Sequence, residues 1–158
     1  MLRATAITSE PGPTPFDIVV LTHDERHLRR KLLTLQHGER LLVDLPAPVM
    51  LGHGDRLVLE DGRHAEVIAA EEALLEIRAG DAEALMTLAW HIGNRHLPAQ
   101  IEPERILIGR DHVIKDMLAG LGASLREVSE PFQPARGAYH AHGSGHAHGH
   151  GAHHHHDD

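Results

Sequence analysis

The chain has 158 residues, 41% of them hydrophobic but 3% aromatic, so any core must be aliphatic, built from Leu, Val, Ile and Ala. It has no cysteine, which excludes disulfides and thiolate metal sites, and its formal charge of −8 argues against a nucleic-acid surface. The first residues, MLRATAITSEPGPTPFDIVVL, lack the pattern of a signal peptide, and no apolar run approaches the roughly 20 residues needed to cross a bilayer. A cytoplasmic protein with neither membrane nor nucleic acid as partner is the expectation.

In chain order, Pro11, Gly12, Pro13 and Pro15 predict that residues 1–15 are an irregular lead-in. Short apolar runs then alternate with turn residues. Phe16–Leu21 and Lys31–Leu35 read as strands, and His37-Gly38 as a turn before a strand over Arg40–Leu45 that Pro46 and Pro48 should break. Gly52-His53-Gly54-Asp55 reads as another turn, and Asp61-Gly62 as a type I′ hairpin joining Leu57–Leu59 to His64–Ala70. Several close strands without a long helical period predict a small all-β domain over residues 1–72.

Past residue 72 the pattern changes. Ala73–Arg78 reads as a strand and Asp81–Ile92 as a helix, capped by Asp81, with Leu85, Leu88, Ala89 and Ile92 on one face. Gly93, in a left-handed conformation, is expected to end that helix. Ala99–Glu102 and Arg105–Ile108 read as strands interrupted at Pro103. A second helix, capped by Asp111, spans Asp111–Leu121 and closes at Gly122, and Ser124–Val128 reads as a last strand. The order βαββαβ predicts a ferredoxin-like domain over residues 73–136, so the fold class is α+β. Order is expected to fail from Pro131, and residues 137–158 form a disordered tail too poor in large aliphatic residues to fold.

Histidine carries the chemical signal. Nine of the 17 histidines lie in the last 19 residues: His140, His142, His146, His148, His150, His153, His154, His155 and His156. Such a tract is a signature of metal binding, and imidazole suits nickel, copper and zinc rather than calcium or magnesium. A purification tag or a solvated linker are the plainer explanations, but tags are usually continuous, and here Ala and Gly interrupt the run.

Among the other eight, His96 follows the first helix closely and precedes Pro98 by two residues, so its place is fixed; it is either a ligand or a loop residue satisfied by a carbonyl. His112 opens the second helix, where the positive end of the dipole disfavours protonation and keeps a ring nitrogen available; capping is the plainer role. His23 and His27 are four apart, but Asp24 replaces the glutamate of zinc proteases, and both are assigned to a surface loop. His37, His53 and His64 lie in or beside turns, and His91 is assigned to packing or surface beside Trp90. One imidazole cannot hold an ion alone. A two-fold dimer with His96 near its axis would pair two copies, and tail histidines could complete the shell.

The run Gly93-Asn94-Arg95-His96-Leu97-Pro98-Ala99-Gln100-Ile101, followed by Asp111-His112-Val113 and Asp116-Met117-Leu118, resembles the nickel-binding urease accessory protein UreE. Leu42-Val43-Asp44-Leu45-Pro46, Gly54-Asp55 and Asp61-Gly62 are similar to that family's first domain, and Pro131-Phe132 with Gly137-Ala138-Tyr139-His140 to its lead into a His-rich tail. The resemblance implies a peptide-binding-like β domain, a ferredoxin-like metal domain and a homodimer binding Ni(II) at its interface through His96. It further implies delivery of nickel for urease assembly through the urease accessory GTPase and the urease pre-activation complex. The chain departs from some members at Arg110, where they carry a second histidine before the one matched by His112.

Two functions remain open on the sequence. The first is a nickel metallochaperone. The second is a buffer or store for Zn(II), Cu(II) or nickel with no dedicated recipient, since copper outcompetes nickel at nitrogen sites. No nucleophile or general base is placed for an enzyme.

Overall fold

The computed structural model describes residues 1–136. The tail, with its nine histidines, lies outside them. The described elements run β1 (Leu2–Thr8), β2 (Asp17–Leu21), α1 (His23–Arg26), β3 (His27–Thr34), β4 (Arg40–Met50), β5 (Arg56–Leu59), β6 (His64–Ala69), β7 (Glu71–Arg78), α2 (Ala82–Asn94), β8 (Gln100–Ile101), β9 (Ile106–Gly109), α3 (His112–Gly120) and β10 (Ser124–Pro131). The strands form two sheets, ordered β2-β6-β5-β1-β4-β3 and β10-β7-β9-β8. The fold is therefore mixed α+β. None of the described helices is long and apolar enough to cross a membrane.

The expected irregular lead-in is instead a central strand. β1 pairs parallel with β4 and antiparallel with β5, and Ala4 is fully buried there. Its alanines hid it: Ala4 leaves room for neighbouring strands to pack closely, yet alanine is a weak strand signal. The proline-rich stretch that suggested irregularity begins only after β1 ends.

β4 also runs through Pro46 and Pro48 rather than stopping before them. Its ladder with β3 pairs Arg30 with Asp44 and resumes at Leu28 with Val49. The prolines fall in the skipped stretch, where no N–H is required. The Asp61-Gly62 hairpin exists, but not as type I′. The Gly62 N–H donates to Leu59 O at 2.9 Å, the Leu59 N–H donates to Arg63 O at 2.8 Å, and of Asp61 and Gly62 the glycine alone has positive φ (88°). This is a three-residue loop closed by a left-handed glycine.

The first sheet curls on itself. The turn after β3, at one edge, meets β2 at the other: the Gln36 N–H donates to Ile18 O at 2.9 Å, and buried Asp17 accepts from the His37 N–H at 3.2 Å and pairs with its Nδ1 at 2.9 Å. Inside lies an aliphatic core including Val19, Leu33, Leu41, Val43, Leu57 and Val67. At roughly 2 kcal/mol for each fully buried aliphatic side chain, this core is what opposes the chain entropy.

On the second sheet, β7 alternates its side chains between two faces. Leu75 and Ile77, with Ile106 and Ile108 of β9, pack against Leu85, Leu88 and Ile92 of α2 and Ile114 and Leu118 of α3. The other face combines an apolar pair, Leu74 and Leu107, with a charged cluster. Glu76, 3% exposed, accepts hydrogen bonds from Arg78 and Arg105 at 3.0 Å and from Arg126 at 3.2 Å. Burial alone would raise its pKa, but these three guanidinium groups overcome that and pull it down to about 2.

Order does not fail at Pro131. Residues 132–136 form an extended strap in which Phe132 is buried and packs with Leu74 and Leu107. Burying that ring supplies the anchoring that a reading of the polar tail missed.

Candidate metal centre

Asp81 starts α2 as expected, its carboxylate accepting from the Ala84 N–H at 2.7 Å. The helix end differs from the expectation. Gly93 is helical and α2 continues through Asn94, with Arg95 at its C-cap (φ −96°, ψ 5°). The left-handed residue is His96 itself, at φ 57°, the one non-glycine residue with positive φ among the described residues. Its N–H donates to Gly93 O at 3.0 Å, closing the helix. Histidine is among the few residues enriched in this region, yet the conformation costs about 1 kcal/mol relative to glycine. Pro98 follows two residues on and keeps Leu97 extended.

The His96 side chain is exposed at the rim of a cleft of about 420 Å³ between the two sheets. His23, His27, Leu97, Pro98 and Arg136 also line it, and none of its lining residues is acidic. His23 and His27, assigned to a surface loop from sequence, thus face the same cleft as His96. His23 opens α1 and sets its ring edge-on to Phe132, 5.6 Å between centroids. α1 is a single turn fixed by a capping box: the Glu25 N–H donates to Thr22 Oγ1 at 3.3 Å and the Thr22 N–H to Glu25 Oε1 at 3.0 Å.

His112 lies elsewhere. It opens α3, but Asp111 provides the cap, accepting from the Val113 and Ile114 N–H groups at 2.9 and 3.1 Å, so the His112 ring is exposed and not used for capping. It lines a separate depression of about 400 Å³ with Arg110, Lys115 and Glu127. His37 is tied to Asp17, and His53 accepts at Nδ1 from the Ala69 N–H at 3.1 Å. His91 stacks edge-on to Trp90, 5.1 Å between centroids. Among the described residues no three His, Asp or Glu side chains gather into a shell for a metal ion. One chain, as described, brings three imidazoles to the cleft, those of His23, His27 and His96, without gathering them into a shell, so an ion held at His96 would need donors from elsewhere.

A family model described as the UreE urease accessory protein N-terminal domain matches residues 2–70, and one described as its C-terminal domain matches residues 72–156. The chain belongs to the UreE family. It is 61% identical over 144 residues to the urease accessory protein UreE of Agrobacterium fabrum, covering 90% of this chain and 89% of that one. It is 62% identical over 140 residues to the UreE of Mesorhizobium japonicum, covering 87% and 71%. Against the UreE of Rhizobium meliloti the identity is 57% over 143 residues, covering 89% and 92%. This is a family of accessory proteins, not of enzymes. The C-terminal match contains the Gly93-Asn94-Arg95-His96 turn, and the two matches together contain the residues lining the cleft it borders.

What sequence reasoning missed at this site is Arg26 and the strap. The Thr22-His-Asp-Glu25 spacing signals a capping box and would have located α1. No local signal announces the strap's partners, which lie up to 106 residues away.

Proposed function

We propose that the chain is a nickel metallochaperone that takes part in urease maturation and passes Ni(II) to the urease accessory GTPase within the urease pre-activation complex. The observation that carries this reading is the His96 conformation: a strained backbone held at a cleft rim, where glycine would close the helix with less strain. His96 serves as the ligand that two copies bring together across a two-fold axis. Support for such an axis comes from α2 itself, which carries exposed Met86 and Trp90 one turn apart, 66% and 62% exposed, on the helix that leads to His96. Residues 73–136 act as a ferredoxin-like metal domain, a reading supported by the strand order β10-β7-β9-β8 with both helices on one face. Residues 1–72 act as a separate β-rich unit. The tail histidines, His140 through His156, add capacity and supply further donors, and His112 is a peripheral ligand. The working compartment is the cytoplasm.

Equilibrium dialysis with nickel tests the proposal on the intact protein, on a version ending at Arg136, and on His96→Ala. Truncation should lower the number of ions bound. His96→Ala should weaken the tightest ion by about 100-fold, since losing a ligand costs at least as much as losing a supporting contact. Retention of that ion in His96→Ala would refute the assignment. Binding through histidine ligands should also weaken as pH falls through roughly 6.5, where imidazole ordinarily protonates. A pull-down with the GTPase, with and without nickel, separates delivery from buffering: no association under either condition favours the buffer.

A further inference from the structure

Arg26 is 1% exposed, and the three hydrogen bonds of its guanidinium all go to main-chain carbonyls. Nε donates to Leu51 O at 3.0 Å, Nη1 to Leu21 O at 3.1 Å, and Nη2 to Phe132 O. The first two acceptors belong to the first sheet and its loops. The third lies 106 positions along the chain, on the strap. The strap in turn grips the segment that follows His96: the Ala135 N–H donates to Ala99 O at 2.8 Å and the Gln133 N–H to Gln100 Oε1 at 2.9 Å. It is tied back to the first sheet as well, where Gln133 Oε1 accepts from the His53 N–H at 3.0 Å and Arg136 Nη2 donates to Met50 O at 3.0 Å. The His96 turn is therefore held from both sides, by Gly93 O before it and by the strap after it, with Pro98 stiffening the link between.

We propose that Arg26 is a positioning residue for His96: it clamps Phe132 to the first sheet, and through the strap it fixes the turn that presents the imidazole to the cleft. The inference rests on the reading of His96 as a nickel ligand for its functional consequence. The mechanical link stands on the hydrogen bonds alone. The planar guanidinium is required because it directs donors at three carbonyls from separate segments; a lysine ammonium on a flexible stem cannot satisfy all three in that geometry. The first sheet, which contains none of the family's matched interface ligand, thereby sets how well that ligand is preorganised.

The test uses the full chain and the variants Arg26→Met, Arg26→Lys, Gln100→Ala and His96→Ala. It reads amide hydrogen exchange at His96, Gln133 and Ala135 against Val67 and Ile77 in the two cores, together with nickel titration. Both Arg26 variants should speed exchange at the three turn and strap amides while leaving Val67 and Ile77 unchanged. They should weaken the tightest ion by about tenfold at an unchanged number of ions, as loss of an orienting contact does. Gln100→Ala, which cuts the side-chain link from strap to turn along with the hydrogen bond from Gln100 Nε2 to Glu102 Oε2, should shift exchange at Gln133 and His96 and nickel affinity in the same direction by less. Unaltered nickel affinity in Arg26→Lys overturns the proposal, as does faster exchange spread equally over Val67 and Ile77, which marks a merely structural role. Should the Arg26 variants not fold, Gln100→Ala decides: unchanged exchange at His96 overturns the link. Should His96→Ala retain the tightest ion, the ligand reading falls on its own. Arg26 is then judged by exchange at His96, where faster exchange supports the clamp and unchanged exchange overturns it.

Discussion

The two long helices end in the same way with different residues. α3 reaches its C-cap at Leu121 (φ −87°, ψ 3°) and turns out through Gly122 at φ 88°. α2 reaches its C-cap at Arg95 (φ −96°, ψ 5°) and turns out through His96 at φ 57°. Both rest on the same sheet, and both bury aliphatic residues against Leu75, Ile77, Ile106 and Ile108 or their neighbours. Glycine takes a left-handed conformation at no steric cost; histidine takes it at a cost. The α3 end uses the residue that the backbone favours, whereas the α2 end keeps a side chain there despite the backbone. On the proposed reading of His96 as a ligand, that difference is the cost of placing an imidazole at this helix end.

The largest expected effect breaks the floor beneath both helix ends. Glu76→Gln leaves Arg78, Arg105 and Arg126 without their shared buried carboxylate. Removing one partner of such a cluster should cost about 3 kcal/mol, read by urea unfolding. The acid dependence has a definite sign. The Glu76 carboxyl is held at about 2 in the folded protein against an ordinary 4.5, so its contribution is fully present above about 4.5 and is lost as pH falls from there through about 2. The weakening of nickel binding that sets in below roughly pH 6.5, as protons begin to compete for imidazole, should therefore begin while this network is intact. Unfolding that accompanies metal release at pH 6 would break the comparison, because the two helix ends would no longer share a rigid support.

A smaller pair of effects sharpens it. Gly122→Ala forces a Cβ into a left-handed backbone and should destabilise by about 1 kcal/mol with no change in nickel binding. Gly93→Ala should do the reverse, stabilising by about 0.5 kcal/mol, because Gly93 is helical and an added Cβ there meets no atom within 4 Å. Thermal melts of the two variants read both signs. If Gly93→Ala destabilised the protein instead, the left-handed position would be Gly93 and not His96.

The second sheet was legible in the sequence because its signals are local. Asp81 and Asp111 cap the helices they were expected to cap, Gly122 closes α3, and the apolar spacing of Leu85, Leu88 and Ile92 matches the buried face. Elsewhere the deciding forces are not local. Nothing in Leu-Arg-Ala-Thr-Ala-Ile-Thr predicts that β1 lies between β4 and β5; only the partners make a strand of it. The prolines of β4 break a ladder only where a partner needs their N–H, and here the ladder skips them. At the site, the sequence located His96 and its turn but put the positive φ on Gly93, since glycine is the usual choice and the burial of Ile92 that extends the helix is a tertiary effect. The Arg26 clamp could not be read at all, because its acceptors are carbonyls that carry no sequence signature.

His96→Gly separates backbone from side chain in a single substitution. Thermal unfolding and nickel titration of this variant should show a gain of up to about 1 kcal/mol in stability together with loss of the tightest ion. A variant that kept that ion, or that melted at a lower temperature than the parent, would contradict the claim that strain at this helix end is maintained for the imidazole it presents.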